Sequence, residues 1–471
     1  LCIFAGPIMS DDTVNSGDDP DQRPRWDIER YKVRHDDDDG GADAAPRRPV
    51  RREGRPQTAT YSADGWTLFW LSLRTAFLSI VTLGIYRFWM LTRIRRHYCS
   101  GIQVLGDPLE YTGRGLEKLL GFLLAMVILA IYLGLFNLGL TFLGLSLSTD
   151  DPLQAQFIVN LSIFATLPLI FFAQYRGMRY LLSRTRWRGI RFGMSGGSWG
   201  YMVRAVLLSV LTLVTAGLAY PYQHFKLAQY MTNRSWFGDM KFEQEGSWWE
   251  LFASWIWIYI MLIFIGLAVW TLSTAGSEEV DYLGIIIAGV IYFVAIIVLY
   301  LTLLRYRFHA FKSLWSNRKL GGVSFDSDLN VSEAVKVYLS GSIIVGFAAA
   351  VTVMLATGLI AAIYTFWGIG SGEFDLESLA ADEGGIEDMS FAMFQAWPVI
   401  LGFIRSYLMV IAIIFAVSQV FFTHRILRRQ VMTMKISDPR ALQDSQQRQH
   451  DTAGEAGGFA DALGVDVGAG F

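Results

Sequence analysis

The chain has 471 residues, 53% of them hydrophobic, which exceeds the apolar share of ordinary soluble domains and favours a membrane protein. The formal net charge of −2 favours no class of partner, and two cysteines are too few for a disulfide framework or a CxxC metal clamp. We therefore predict neither a cofactor nor a metal site.

The N-terminal stretch, residues 1–64, is rich in charge and poor in apolar side chains. It contains an acidic run at Asp36–Asp39 and a basic run between Arg47 and Arg55. Such a composition cannot bury enough apolar surface to fold, so we predict a disordered cytoplasmic tail. We predict a second, flexible cytoplasmic tail for residues 437–471.

Six apolar segments are long enough to cross a hydrocarbon core of about 30 Å at about 1.5 Å per residue. They are Glu117–Leu145, Leu153–Leu182, Glu250–Leu272, Gly284–Leu304, Ala334–Phe366 and Gln395–Phe422. Two shorter segments, Trp66–Val81 and Trp199–Val214, suit re-entrant helices that enter the membrane and return. Glu117 and Glu250 stand near the starts of apolar segments, where a carboxylate complements the helix dipole.

Several residue pairs recur at one constant spacing along the chain. They are Trp66 and Trp199, Gly84 and Gly217, Glu117 and Glu250, Gly189 and Gly322, and Phe192 and Phe325. This pattern predicts an internal duplication, with one membrane repeat at residues 65–197, a second at 198–330 and a shortened third unit at 331–436.

Loop charge predicts how the segments are oriented. Ser146–Pro152, Ser273–Tyr282 and Trp367–Phe394 contain no Lys or Arg, whereas the loops on the other side are rich in arginine. Because cytoplasmic loops carry an excess of Lys and Arg, six crossings place both termini in the cytoplasm. Eight crossings are the alternative, in which both short segments span.

After the basic helices, a glycine precedes an aromatic residue by a few positions at four places, which is typical of short β-hairpins. These places are Gly106 to Tyr111, Gly189 to Phe192, Gly238 to Phe242 and Gly322 to Phe325. The predicted fold is an all-α polytopic membrane protein of duplicated helical units, with six spans plus two re-entrant helices or with eight spans. Small β-hairpin elements lie on its cytoplasmic face, and because a lone short strand leaves its backbone groups unpaired, we expect the four to assemble into one small sheet there.

Several stretches of the chain carry a family resemblance. TLGIYRFW, RIRRHY, GDPLEYTG and RTRWRGIRFGMSGGS resemble the YjgN-type family of bacterial inner-membrane proteins of unknown function. The resemblance covers residues 62–471 and departs at Arg87-Phe88, where the family pattern has Tyr-Pro, as at Tyr220-Pro221. It implies an integral protein of the bacterial inner membrane and implies no particular activity.

Four polar residues in apolar surroundings form the candidate polar or anion site: Arg405, Arg74, Arg204 and Asn160. A charge at the depth of Arg405 costs about 2.5–3.5 kcal/mol, so this side chain needs a polar partner or a cavity. Arg74 and Arg204 occupy nearly equivalent places in the two short segments and could line a shared cytoplasmic vestibule. Structural pairing and snorkelling to phosphate headgroups are the alternatives for these arginines.

Four histidines, His97, His224, His309 and His424, stand where apolar helices meet basic extensions. We interpret them as interfacial anchors that accompany aromatic side chains, with pH sensing as the alternative.

The pattern as a whole favours transport or permeation of a small solute or lipid. The alternative is a non-transporting membrane scaffold or regulator that acts through its cytoplasmic face. We do not predict an enzyme, because no set of nucleophile, metal ligands or acid–base pair is recognisable. The predicted partner is the lipid bilayer, whose anionic headgroups meet the basic cytoplasmic loops, rather than nucleic acid; the pattern identifies no protein partner.

Overall fold

The structure, a computed structural model, describes residues 57–146, 152–274, 282–371 and 407–448. Its helices are α1 (Gly65–Val81), α2 (Arg87–Gly101), α3 (Gly115–Ser146), α4 (Pro152–Arg184), α5 (Ser198–Val214), α6 (Tyr220–Thr232), α7 (Trp249–Thr274), α8 (Tyr282–Ser316), α9 (Val331–Ser371) and α10 (Tyr407–Met432). Local capping fixes some of their starts. The Asp64 side chain, for example, accepts the Thr67 main-chain N–H at 2.9 Å and begins α1.

The strands are short and all belong to one antiparallel sheet. They are β1 (Gln57–Thr58), β2 (Thr60–Tyr61), β3 (Ile102–Val104), β4 (Asp107–Tyr111), β5 (Thr185–Trp187), β6 (Ile190–Met194), β7 (Ser235–Phe237), β8 (Met240–Gln244), β9 (Arg318–Leu320), β10 (Val323–Ser327) and β11 (Met434–Ile436). Their order across the sheet is β1-β11-β10-β9-β8-β7-β6-β5-β4-β3-β2.

The two edges of this sheet are strands β1 and β2, which are separated in sequence by Ala59 alone. Gln57 pairs with Ile436 of β11, and Tyr61 pairs with Ile102 of β3. The eleven-stranded sheet therefore curls round until its two edges meet, and it forms a near-barrel. Such closure leaves few unpaired edge groups that could join another chain.

The predicted all-α fold with small β-hairpin elements is wrong. The hairpins do occur at the four predicted places, but they join β1, β2 and β11 in one large sheet. A hairpin of three-residue and five-residue strands is unstable alone, so each hairpin depends on neighbours far away in the sequence. Residues 57–61 were predicted to belong to the disordered tail, but they supply β1 and β2.

Apolar side chains fill the barrel interior. Inward-facing side chains such as Trp187, Phe237, Leu320 and Ile436 are buried there. Leu442, in the short 3-10 helix that follows β11, packs into the same cluster. We refer to residues 437–448 as the C-terminal segment, which therefore lies against the barrel.

The short helices form two hairpins that leave the barrel and return to it. Helices α1 and α2 connect the paired strands β2 and β3, and α5 and α6 connect the paired strands β6 and β7. Both turns use two successive residues with positive φ: Leu83 and Gly84 in one, Ala216 and Gly217 in the other. A single sheet cannot lie on both sides of a membrane, so the sheet argues against the alternative of eight spans.

Among the described residues, five helical stretches are long and apolar enough to cross a membrane. They are Gly115–Phe142, Trp249–Leu267, Gly289–Ser316, Val331–Gly358 and Tyr407–Met432. Large apolar side chains on them point outward, for example Phe142 and Phe347, which are 75% and 71% exposed. Lipid contact accounts for such surfaces. The number of crossings and the internal duplication stay predictions.

Candidate functional site

The barrel encloses an apolar cavity of about 160 Å³. Ligand pockets usually measure about 300–1,000 Å³, so this cavity is small for a ligand and belongs to the packed interior. Arg318 lines it and is 5% exposed. Its Nε donates to Oε1 of Gln244 at 2.9 Å, and its guanidinium lies 4.4 Å from the ring centroid of Trp315. Burial lowers the pKa of Arg318 to about 10, so the group is still charged at neutral pH.

A larger concave site lies between α7 and α8, with a volume of about 1,000 Å³. We refer to it as the α7–α8 groove. Its walls are Glu250, Ala253, Ser254, Trp257, Met261, Val298, Thr302, Arg305, His309, Lys312, Ser313, Ser316 and Asn317. The two helices are antiparallel neighbours, so the start of α7 and the end of α8 form the barrel-proximal end of the groove.

Glu250 closes the barrel-proximal end of the groove. Its Oε2 accepts the Ser313 hydroxyl and, at 3.1 Å, the side-chain amide of Asn317. The same arrangement occurs between α3 and α4, where Oε2 of Glu117 accepts the Tyr180 hydroxyl at 3.1 Å and pairs with Arg184 at 3.0 Å. Each glutamate therefore ties the start of one long helix to the end of the next.

The cationic part of the groove comes from one face of α8. Arg305, His309 and Lys312 follow one another at intervals of four and three residues, which places them on the same side of a helix. The charges of Glu250, Lys312 and Arg305 all act on His309. Two cationic side chains, Arg305 and Lys312, against the one carboxylate of Glu250 give this end of the groove a positive potential.

The part of the groove that lies farther from the barrel is apolar. Trp257 and Met261 lie two and three turns into α7, and Val298 lies about five turns before the end of α8. Trp257 is 59% exposed, which leaves its ring free to contact a molecule in the groove. The groove therefore joins a cationic end to an apolar wall, the arrangement that an anionic amphiphile requires.

Two of the predicted polar residues, Arg74 and Arg204, lie on different helices. Arg74 is exposed on α1, which packs on α2 and α10, whereas Arg204 is exposed on α5, which packs on α4 and α6. Nη1 of Arg204 donates to the Gly200 carbonyl at 2.9 Å, and its guanidinium lies 4.9 Å from the ring centroid of Tyr230. The shared vestibule stays a prediction.

The side chains of the other two members of the predicted polar site, Arg405 and Asn160, are not described. Arg405 lies outside the described residues. Asn160 lies within α4, and the structure does not describe its side chain.

His97 and His424 lie near each other beside Asp64, whereas His224 and His309 lie elsewhere. His97 donates from Nε2 to the Asp64 carbonyl at 3.2 Å, and burial lowers its pKa, an effect that Asp64 partly opposes. His424 shares a hydrogen bond with the Tyr61 hydroxyl, and His224 shares one with the Tyr306 hydroxyl, both at 3.1 Å. His309 lies in the α7–α8 groove. Their role as interfacial anchors stays a prediction, and the described residues hold no metal-ligand cluster.

Sequence reasoning missed the groove, although a signal for it was present. Glu117 and Glu250 recur in the sequence, and each bonds a residue 63 positions later, Tyr180 and Ser313 respectively. That constant separation indicates a pair of helices whose ends meet. The helix-dipole interpretation explained why a carboxylate stands there, but it did not identify these partners.

Comparisons with known proteins agree with a bacterial membrane family. The family model for DUF898, bacterial proteins of unknown function, matches residues 56–458. Inner membrane protein YjgN of Salmonella typhimurium strain LT2 is 23% identical over 165 residues, which are 34% of this chain and 38% of that protein. The match thus spans much less than two thirds of that relative. No solved structure matches the chain significantly.

Proposed function

Because the chain belongs to the DUF898 family of bacterial proteins of unknown function, we propose its activity from the α7–α8 groove. The protein is an integral protein of the bacterial inner membrane that binds an anionic lipid in this groove. Permeation of a lipid or small solute is the activity that this binding serves. The five apolar helices and the name of the Salmonella relative support the location.

The single observation that carries the proposal is the gradient of chemistry along the groove. An anionic headgroup would contact Arg305, His309 and Lys312, and an acyl chain would follow Trp257 towards Val298. The rise of a helix places Lys312 and Val298 about 21 Å apart along the axis of α8. That length accommodates a headgroup and a large part of an acyl chain.

The orientation of the groove follows from the distribution of charge. The cationic end adjoins the barrel, and the loops and helix ends on that side carry the arginines. The positive-inside rule therefore assigns the barrel and both termini to the cytoplasm. The groove then opens to the cytoplasmic leaflet, whose anionic lipids attract basic side chains.

The test compares lipid retention by the purified full chain and its variants. Native mass spectrometry would follow the protein released from vesicles of phosphatidylcholine and phosphatidylglycerol. Each basic residue near an anionic surface contributes about 1 kcal/mol, so Arg305→Gln with Lys312→Gln removes about 2 kcal/mol. We expect this double variant to bind phosphatidylglycerol about 30-fold more weakly than the wild type.

The matched control removes the same charge outside the groove. Arg307 and Lys336 are exposed and do not line it, so Arg307→Gln with Lys336→Gln should bind phosphatidylglycerol almost as the wild type does. Equal losses in the two double variants would indicate a diffuse charge effect and contradict a specific groove site.

A scaffold or regulator is the second candidate, and the closed barrel favours it. A rigid barrel with the C-terminal segment packed on it offers a surface for partners without any transport step. Both candidates are non-enzymatic. Movement of a fluorescent anionic lipid between the leaflets of proteoliposomes separates them: the permeation proposal requires wild-type movement that the groove variant loses, and the scaffold proposal requires none.

A further inference from the structure

A second polar cavity lies on the outer wall of the barrel, with a volume of about 530 Å³. Its walls are Ser195, Asn233, Arg234, Trp236, Lys241 and Arg448. Trp236 stands between Ser235 and Phe237 on β7, and those two neighbours line the barrel interior. Because side chains alternate along a strand, Trp236 and this cavity face outward.

Arg234 is held in place by an aromatic cluster. Its guanidinium lies 3.7 Å from the ring centroid of Tyr230, and that ring packs against buried Tyr175 with centroids 5.9 Å apart. Its main-chain carbonyl accepts the Ser195 N–H at 3.0 Å. The cation therefore has a fixed position before any ligand arrives.

Arg448 reaches the cavity through the C-terminal segment. Its guanidinium lies 4.8 Å from the ring centroid of Trp236. The preceding residues are fastened to the barrel by Asp239, whose Oδ1 accepts the Ser445 hydroxyl at 3.0 Å and the Gln446 N–H at 3.1 Å. The Gln446 hydrogen bond is the main cause of a lowered pKa of Asp239, so this carboxylate is ionised at neutral pH.

The cavity gathers positive charge and holds no acidic residue among its walls. Within the described ranges, Arg234, Lys241 and Arg448 form no ion pair with a carboxylate. The charge of Arg448 also acts on the Asp239 carboxyl group, but it is the smallest of the causes of that group's lowered pKa. Like charges gathered around an open cavity repel one another, and an anion in the cavity relieves that repulsion.

We propose that this cavity binds a phosphate group, with Arg234 and Arg448 as its main partners and Lys241 as a third charge. Arginine can pair with two phosphate oxygens at once, and an aromatic ring lies beside each of these two guanidinium groups. Because Arg448 belongs to the C-terminal segment, the phosphate also fastens this segment to the barrel wall. The phosphate comes from a soluble phosphorylated molecule or from a lipid headgroup.

The experiment uses the full chain in nanodiscs of phosphatidylcholine and follows hydrogen exchange of residues 437–448. Inorganic phosphate is the probe, with chloride at the same ionic strength as the control for screening. We expect phosphate to slow exchange of the C-terminal segment and chloride to leave it unchanged. Titration of this protection gives the affinity, which Arg234→Gln and Arg448→Gln should each weaken about tenfold or more.

Arg96→Gln is the matched control, because Arg96 is exposed on α2 and lies outside the cavity. It should bind phosphate as the wild type does. Nanodiscs that contain phosphatidylglycerol, without free phosphate, distinguish the source: protection there alone identifies a lipid headgroup, and protection by inorganic phosphate identifies a soluble ligand. Absence of protection in both settings overturns the proposal, as does protection that survives both arginine variants.

Discussion

At the scale of single residues, Gln244 shows how the barrel accommodates a buried charge. Its Oε1 accepts Nε of Arg318 at 2.9 Å. Its amide nitrogen donates to the carbonyl of Leu314 in the last turn of α8 at 3.0 Å and to that of Asn317, just after α8, at 3.3 Å. One side chain thus satisfies both a guanidinium and the end of a long helix. The sequence could not reveal these hydrogen bonds, because the local pattern around Gln244 indicates only the polar end of a hairpin strand.

Replacement of Gln244 by leucine should therefore be costly. Gln244→Leu removes the acceptor of a buried cation and the donor to two carbonyls, for which we expect a loss of about 3 kcal/mol in the free energy of unfolding. The measurement is denaturant unfolding in one detergent. Glu243→Leu, at the exposed neighbouring position, is the control and should change this free energy by less than about 0.5 kcal/mol. Similar losses in the two variants would argue against the network.

Only some of the residues at the ends of the long helices could be predicted from the sequence. Glu117 and Glu250 could be identified from the sequence, because they are one of the residue pairs that recur at a constant spacing. Their partners Tyr180 and Ser313 stand 63 positions later, each near the end of the following long helix. No local pattern encodes that contact. It follows only when the helices are placed side by side.

At the scale of elements, the two short helical hairpins differ in how their turns are held. Gly84 and Gly217 both have φ near 90°, where residues other than glycine are strained. The second turn is tied to α7, because the Trp255 indole donates to the Gly217 carbonyl at 3.2 Å and the Tyr259 hydroxyl donates to Ala216. A Cβ on Gly217 would lie 2.8 Å from the Tyr259 hydroxyl, whereas a Cβ on Gly84 would meet nothing within 4 Å.

A pair of alanine variants separates backbone strain from crowding. Gly84→Ala should lower the free energy of unfolding by about 1 kcal/mol, since a left-handed alanine is strained. Gly217→Ala should cost more, because Tyr259 must also move away from Ala216. Thermal unfolding in detergent and hydrogen exchange of residues 212–225 would measure the two effects. Equal costs would mean that the contact with α7 does not stabilise the turn.

At the scale of the whole molecule, the sequence revealed the helices and the hairpins but not the barrel. Runs of apolar residues identify long helices from local composition, and the resemblance to the YjgN-type family is confirmed by the family match. Closure depends instead on Gln57–Tyr61, two strands of two residues each that pair with β11 and β3. Such short strands carry no periodic signal, and their partner at Ile436 lies almost at the other end of the described chain.

The single sheet makes a prediction about topology that cysteine accessibility can test in intact cells. In a background with Cys2→Ser and Cys99→Ser, we would place single cysteines at Ser100, Ser195, Ser277 or Ser371. Ser100 lies next to β3, and Ser195 follows β6, so one barrel requires both positions on one side. The positive-inside rule makes that side the cytoplasm, so an impermeant reagent should label 277 and 371 and spare 100 and 195.

The possible failures of this test have different meanings. Labelling of position 100 without 195 would separate two parts of one sheet and contradict the barrel itself. Labelling of 100 and 195 together, with 277 and 371 spared, would keep the barrel and invert the protein. The cationic end of the α7–α8 groove would then face the outer leaflet, so the proposed lipid ligand would have to be sought there. The result therefore decides the fold and the location of the binding site separately.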